Sequence, residues 1–370
     1  MIFGHILNWW IIPEDYWLYL FLYYCLGPIA AGGFLFISGF SAIFAYKKSL
    51  IMTRKSDDFN MKMVRNVYML RALLVLLIAF IYNIAIALII NDLTWIWAWF
   101  VLQTIGFSLL MAWPFLKTSK SFRILFGCVI LIANFFILEL LKPYQGQANF
   151  YGILYHILFN PLDLYPILPF FTILIMGTVA GEILYEINLI GDETEKKSAF
   201  KYNFIYPIFS IGICLTLFSI WFQYPSFFQY STFSAILYAM GIICIIVALI
   251  IGIEEFEIIK LKKNYNFLQY YSYYSFTIFL AHNPLYFLFY KQLNAITIWL
   301  AIVITLILLT LLLRFIYKKV GPKASLKYAI GLLSLGITIK LEQRRQIKLG
   351  RVESALKLGK LLKFGNERKN

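Results

Sequence analysis

Long apolar runs separated by short polar breaks set the rhythm of this chain. They cover roughly 21–46, 67–90, 94–116, 120–141, 165–187, 202–222, 232–254, 270–290 and 294–317. Crossing a hydrocarbon core of about 30 Å takes about 20 helical residues, so these nine runs predict nine full transmembrane helices. Residues 1–12 are apolar and helical in character too, but twelve residues rise only about 18 Å. They predict a tenth span, first in the chain and truncated at its N-terminus. No basic segment or small-residue cleavage site precedes Trp9 and Trp10, so a signal peptide fits less well. The expectation is an all-α, polytopic transmembrane bundle of about ten spans over residues 1–322, followed by a tail at 323–370.

Composition sharpens this picture. With 61% hydrophobic and 14% charged residues and a mean hydropathy of +0.77, the chain is too apolar for an ordinary soluble domain. The net charge of +15 invites a nucleic-acid reading, but the distribution answers it. Of the 33 Lys and Arg, 29 fall in the alternate segments 47–66, 117–123, 188–201, 255–269 and 318–370, while the opposite loops hold only Lys142 and Lys291. That is the asymmetry of a multi-pass cell-membrane protein with its basic loops and C-terminus in the cytoplasm; no nucleic-acid partner is expected. The tail is basic, and its apolar stretch Ala329 to Ile339 is too short to span. It fits either an interfacial amphipathic helix on anionic lipid or a partly disordered, solvated segment. Cys25, Cys128, Cys214 and Cys244 sit singly in apolar stretches, as buried thiols and not metal ligands.

Ionisable side chains inside spans are costly and point to function. The chain has three histidines, and the predicted topology puts all of them toward the outer side. His5, Asn8 and Trp9 stand at i, i+3 and i+4 on one face of the first helix. His282 precedes Pro284, which removes a backbone donor and opens the ninth span beside a titratable ring; Ser275 lies seven residues back on the same face. His156 falls in the loop 142–165. Asp163, ahead of Pro166 at the start of the sixth span, suits either a helix cap or a carboxylate that orients a histidine. Glu139 is a further outer carboxylate, and Glu14 and Asp15 read as solvated loop residues. Each histidine also has a plainer reading, as a ring hydrogen-bonded to a neighbouring helix. The sequence has no phosphate-binding glycine loop, zinc-protease signature or nucleophile elbow, and three separated histidines without an acidic cluster predict no metal site.

Four blocks, in order, carry a resemblance. Met1-Ile2-Phe3-Gly4-His5 resembles the end of a helix that reads R-G-x-x-x-x-x-M-x-x-x-H. Phe34-Leu35-Phe36-Ile37-Ser38-Gly39-Phe40-Ser41 is similar to a second-helix block, Leu164 to Phe171 followed by Gly177 and Gly181 to another, and Ser275 to Pro284 to a fourth, "SLLIYLLHQP". Together they resemble the heparan-α-glucosaminide N-acetyltransferase catalytic-domain family, a relative of the wider acyltransferase 3 group. The arginine upstream of the family's histidine has no counterpart here, and Asn283 stands where the family often has Gln. The resemblance implies transfer of an acyl group, typically acetyl from acetyl-CoA as donor substrate, with no bound cofactor, to an amine or hydroxyl of a glycan or glycolipid across the membrane. Membrane lipid is the remaining expected partner. On this reading His5 is the principal base or nucleophile, His282 a second acid/base and Asp163 an orienting group. Asn8, Ser38 and Asn283 could donate to the oxyanion, with His156 and Ser275 nearby. Two other readings keep the same residues: a proton-coupled transporter or flippase of a lipid-linked or small solute, and a scaffold that holds partners through the basic tail.

Overall fold

A computed structural model describes residues 2–55, 60–160, 164–228, 232–257 and 266–348. Asp163 lies outside the described residues, as does the tail beyond 348. Among the described residues thirteen α-helices follow one another: α1 (Ile2–Trp10), α2 (Tyr16–Lys55), α3 (Met61–Ile90), α4 (Val101–Ala112), α5 (Lys120–Leu141), α6 (Phe150–Phe159), α7 (Ile167–Ile187), α8 (Glu193–Ala199), α9 (Tyr206–Phe222), α10 (Phe233–Glu255), α11 (Asn266–Ala281), α12 (Thr297–Val320) and α13 (Leu326–Lys348). Among the described residues there is no strand beyond an isolated bridge between Ile11 and Leu293. Among the described residues, eight helical stretches are long and apolar enough to cross a membrane. They coincide with eight of the ten expected spans; the other two are α1, at 9 residues, and α11, at 16.

Polar residues fix the ends of these helices. The side chains of Asn60, Ser119, Asn149 and Thr232 accept backbone N–H bonds at the starts of α3, α5, α6 and α10, satisfying donors that a helix leaves open. Asn91 ends α3 at φ 55°, in the left-handed region that asparagine tolerates. Apolar side chains, by contrast, line the outside. Leu73, Leu77, Ile81, Ile84 and Leu88 form an exposed stripe on α3; Leu125, Val129, Ile132, Phe136 and Leu140 do so on α5, and Leu300, Ile304, Ile307, Leu311 and Phe315 on α12. Exposed apolar stripes of this length belong against lipid tails. Cys128 and Cys214 share that environment; only Cys244 is buried, which corrects the expectation of four buried thiols.

The chain divides into two compact units. One combines Met1–Ala30 with Lys260–Leu333, the other Ala31–Ile259 with Ser334–Asn370. In the second unit α7 is central: most of its residues are buried, against few of those of α3. Glycines permit its close packing on α2. A Cβ at Gly39 would collide with the Leu174 carbonyl, and one at Gly177 with the Phe36 carbonyl. Gly212 and Gly241 bring α9 and α10 together in the same way, each meeting the other's carbonyl oxygen at 2.8 Å from the position of a Cβ. This is the small-residue packing by which membrane helices associate where no hydrophobic drive exists between them. From Leu326 to Lys348 the expected tail segment is helix α13, with Ser334, Thr338 and Glu342 buried on it.

Candidate active site

Within the first unit, α1 lies against α12. Ile6, Leu7, Trp10 and Ile11 are essentially buried, packed with Leu18, Ile298 and Ile302. That uses one face of α1 and leaves His5, Asn8 and Trp9 on another, as their spacing predicts. His5 is exposed, Asn8 and Trp9 half-buried.

The ninth expected span is broken at the predicted place. Helix α11 stops at Ala281, and Asn283–Phe287 continues as a 3₁₀ turn with Pro284 in its first positions. A proline ring cannot enter the helix interior without displacing a carbonyl one turn back, so the chain tightens, and the Leu285 N–H bonds to the His282 carbonyl at 3.0 Å. Beyond the turn, the chain is tied to the end of α1. The Lys291 N–H bonds to the Trp9 carbonyl (2.9 Å), the Leu293 N–H to the Trp10 carbonyl (2.9 Å), and the Ile12 N–H to the Leu293 carbonyl (2.9 Å). The Trp10 indole donates to the Leu285 carbonyl at 2.7 Å, and Asp15, expected to be merely solvated, accepts the Ala295 N–H at 2.7 Å.

These ties bring two histidines from opposite ends of the sequence together. The ring centroids of His5 and His282 are 4.8 Å apart. Trp9 touches both, 5.2 Å from His5 and stacked 5.6 Å from His282 at 18°, and Tyr286 meets Trp9 edge-on at 5.7 Å. His282 is buried, and its Nδ1 lies 2.5 Å from the Phe279 carbonyl. A carbonyl oxygen only accepts, so Nδ1 carries the hydrogen and Nε2 keeps its lone pair. That Nε2 is buried without a protein partner. Beside the pair, the carbonyl oxygen of Asn8 accepts from the Tyr16 hydroxyl at 3.0 Å, leaving the amide NH₂ as a donor.

Of the remaining expected site residues, Asn283 and Ser275 belong to the first unit. Asn283 sits exposed in the turn after His282. Ser275 donates to the Ser272 carbonyl of its own helix at 3.1 Å. Ser38 and His156 belong to the second unit: the Ser38 hydroxyl donates to the Phe34 carbonyl at 2.7 Å, and half-buried His156 lies on α6.

Sequence reasoning missed a charge cluster in the second unit. Arg123, counted among loop cations, is fully buried, donating to Glu182 and, at 2.9 Å, to Thr178. Lys47 reaches the other Glu182 oxygen at 2.5 Å. A signal was present: Glu182 is an acidic residue well inside an apolar run, and such a residue needs a cationic partner.

Fold and site define a class, a multi-pass membrane protein carrying a pair of facing imidazoles. A family comparison carries this further. Residues 1–212 match the family described as heparan-alpha-glucosaminide N-acetyltransferase, catalytic, and the chain belongs to that family of membrane N-acetyltransferases. The matched stretch contains His5 but ends before His282. No curated protein and no solved structure gives a significant match.

Proposed function

We propose that the protein transfers an acetyl group from acetyl-CoA to an amine or hydroxyl of a glycan or glycolipid on the extracytoplasmic side, with His5 and His282 acting as one unit. The observation that carries this reading is the 4.8 Å pairing of the two rings, one of which has a buried, lone-pair-bearing Nε2. His5, the exposed member, meets the acceptor and takes its N–H or O–H proton as the new bond to the acetyl carbonyl carbon forms. The second N–H of the resulting imidazolium is accepted by His282 Nε2, which stabilises the charge and orients the ring. The Asn8 amide donates to the tetrahedral oxyanion. When the carbon–sulfur bond breaks, the CoA thiolate takes the proton back from His5, and the base is restored. General acid–base steps of this kind contribute about 10²–10⁴-fold.

The test is acetyl transfer from labelled acetyl-CoA to glucosamine by the full chain in proteoliposomes. His5→Ala, inserted and folded, is expected to lose at least about 100-fold in kcat. His282→Ala is expected to lower kcat with little change in KM and to displace the pH profile, and His282→Gln, which keeps an acceptor, to recover part of the loss. Wild-type transfer by His5→Ala and His282→Ala would overturn the reading; pH-gradient-driven uptake without acetylation would replace it by transport.

A further inference from the structure

Next to the break in α11, the first unit holds an open groove of about 360 Å³. Its walls are Thr277, Leu280 and Ala281 of α11, Lys323, Ala324 and Ser325 between α12 and α13, and Leu326 and Ala329 at the start of α13. The hydroxyls in these walls are engaged with the protein. The Ser325 Oγ donates to the Tyr273 carbonyl at 2.5 Å, and the Thr277 Oγ1 accepts the Leu326 N–H at 2.9 Å. What the groove offers an occupant is therefore apolar surface from Leu280, Ala281, Leu326 and Ala329, with the exposed Lys323 at one end. The volume lies at the small end of the range for ligand sites, roughly 300–1,000 Å³; it suits one flexible chain and not a folded partner.

We propose that this groove binds an anionic phospholipid, with one acyl chain along the apolar walls and the phosphate at Lys323. Charge complementarity selects that occupant. Lys318, Lys319, Lys323 and Lys327 cluster where α12 passes into α13, in the segment whose basic excess points toward the leaflet that carries anionic headgroups. The site is separate from the acetyl-transfer chemistry, but it abuts it in sequence: Ala281 is the residue before His282, so a bound chain buttresses the end of α11.

The full-length protein is purified in detergent, mixed with phosphatidylglycerol or with phosphatidylcholine of the same chains, and read by native mass spectrometry. Wild type is expected to bind one phosphatidylglycerol at least ten-fold more tightly than phosphatidylcholine. Lys323→Glu should weaken phosphatidylglycerol at least ten-fold and leave phosphatidylcholine unchanged. Ala329→Phe, which fills the groove, should abolish both, with an unchanged melting temperature as the folding control; if it does not fold, Lys323→Glu decides alone. Equal affinity for the two lipids, or unchanged phosphatidylglycerol binding in Lys323→Glu, would overturn the proposal. So would displacement of phosphatidylglycerol by acetyl-CoA, which would give the groove to the acyl donor.

Discussion

Single residues carry the chemistry and much of the risk to stability. Trp10 is fully buried, and its indole holds the turn that follows His282. Trp10→Ala should cost about 3–5 kcal/mol and release that turn; Trp10→Phe keeps most of the packing and isolates the lost hydrogen bond, so a smaller drop in melting temperature accompanied by a fall in kcat is expected. Arg123 and Glu182 make a second case. Glu182→Ala leaves a buried guanidinium uncompensated and should destabilise by about 3–5 kcal/mol. The pair replacement Arg123→Met with Glu182→Leu should cost less, because the fully buried guanidinium goes with its carboxylate and only the partly exposed Lys47 loses its partner. Thermal unfolding of the purified variants checks both. The histidine pair was half legible in the sequence: the i, i+3, i+4 face of α1 and the proline after His282 could be read directly. That the rings meet could not, because their approach depends on backbone bonds between Trp9 or Trp10 and residues 291–293, and pairings between distant segments leave no local periodicity.

At the scale of helices, small residues and caps set the geometry. The α2–α7 crossing has no room for side chains at Gly39 or Gly177, so Gly177→Leu should force the two helices apart and abolish folding, while Gly33→Ala, at a position with nothing within 4 Å, should be tolerated. Expression as a monodisperse membrane protein separates the two outcomes. Which glycines of α2 make the tight contacts was not legible in the sequence, since a glycine's role depends on which face meets a neighbour: Gly39 meets backbone and Gly32 meets the Ile243 side chain, while Gly33 meets nothing within 4 Å. Asp192 caps α8, accepting from the Thr194 hydroxyl and from the Glu195 N–H at 2.8 Å. The Thr194 hydroxyl, and after it the Glu195 N–H, hold the carboxyl below its ordinary value. A lowered folded-state value means the cap contributes above the unfolded value and is lost as the pH falls through the folded one. Protection of the amides in the first turn of α8, taken relative to their intrinsic exchange rate at each pH, should therefore be constant through neutral pH and fall only in acid, and Asp192→Ala should show the low protection throughout.

For the molecule as a whole, hydrophobic periodicity was enough to place the membrane helices, because a bilayer demands a length and a composition that a sequence displays openly. Each expected span has its helix, and the two short ones, α1 and α11, are the pair that bears the histidines. Burial of α7 against α2 and the charge cluster at Glu182 were not legible, since they depend on which helices become neighbours. The central claim is that His5 and His282 act as one catalytic unit, and a double-mutant cycle on acetyl transfer tests it most directly. Groups that work as a unit give non-additive losses. His5→Ala, His282→Ala and the double variant, each measured for kcat with labelled acetyl-CoA, should show the double variant no slower than His5→Ala alone, within about three-fold. A double variant slower by the product of the two single losses, or either single variant at the wild-type rate, would contradict the account.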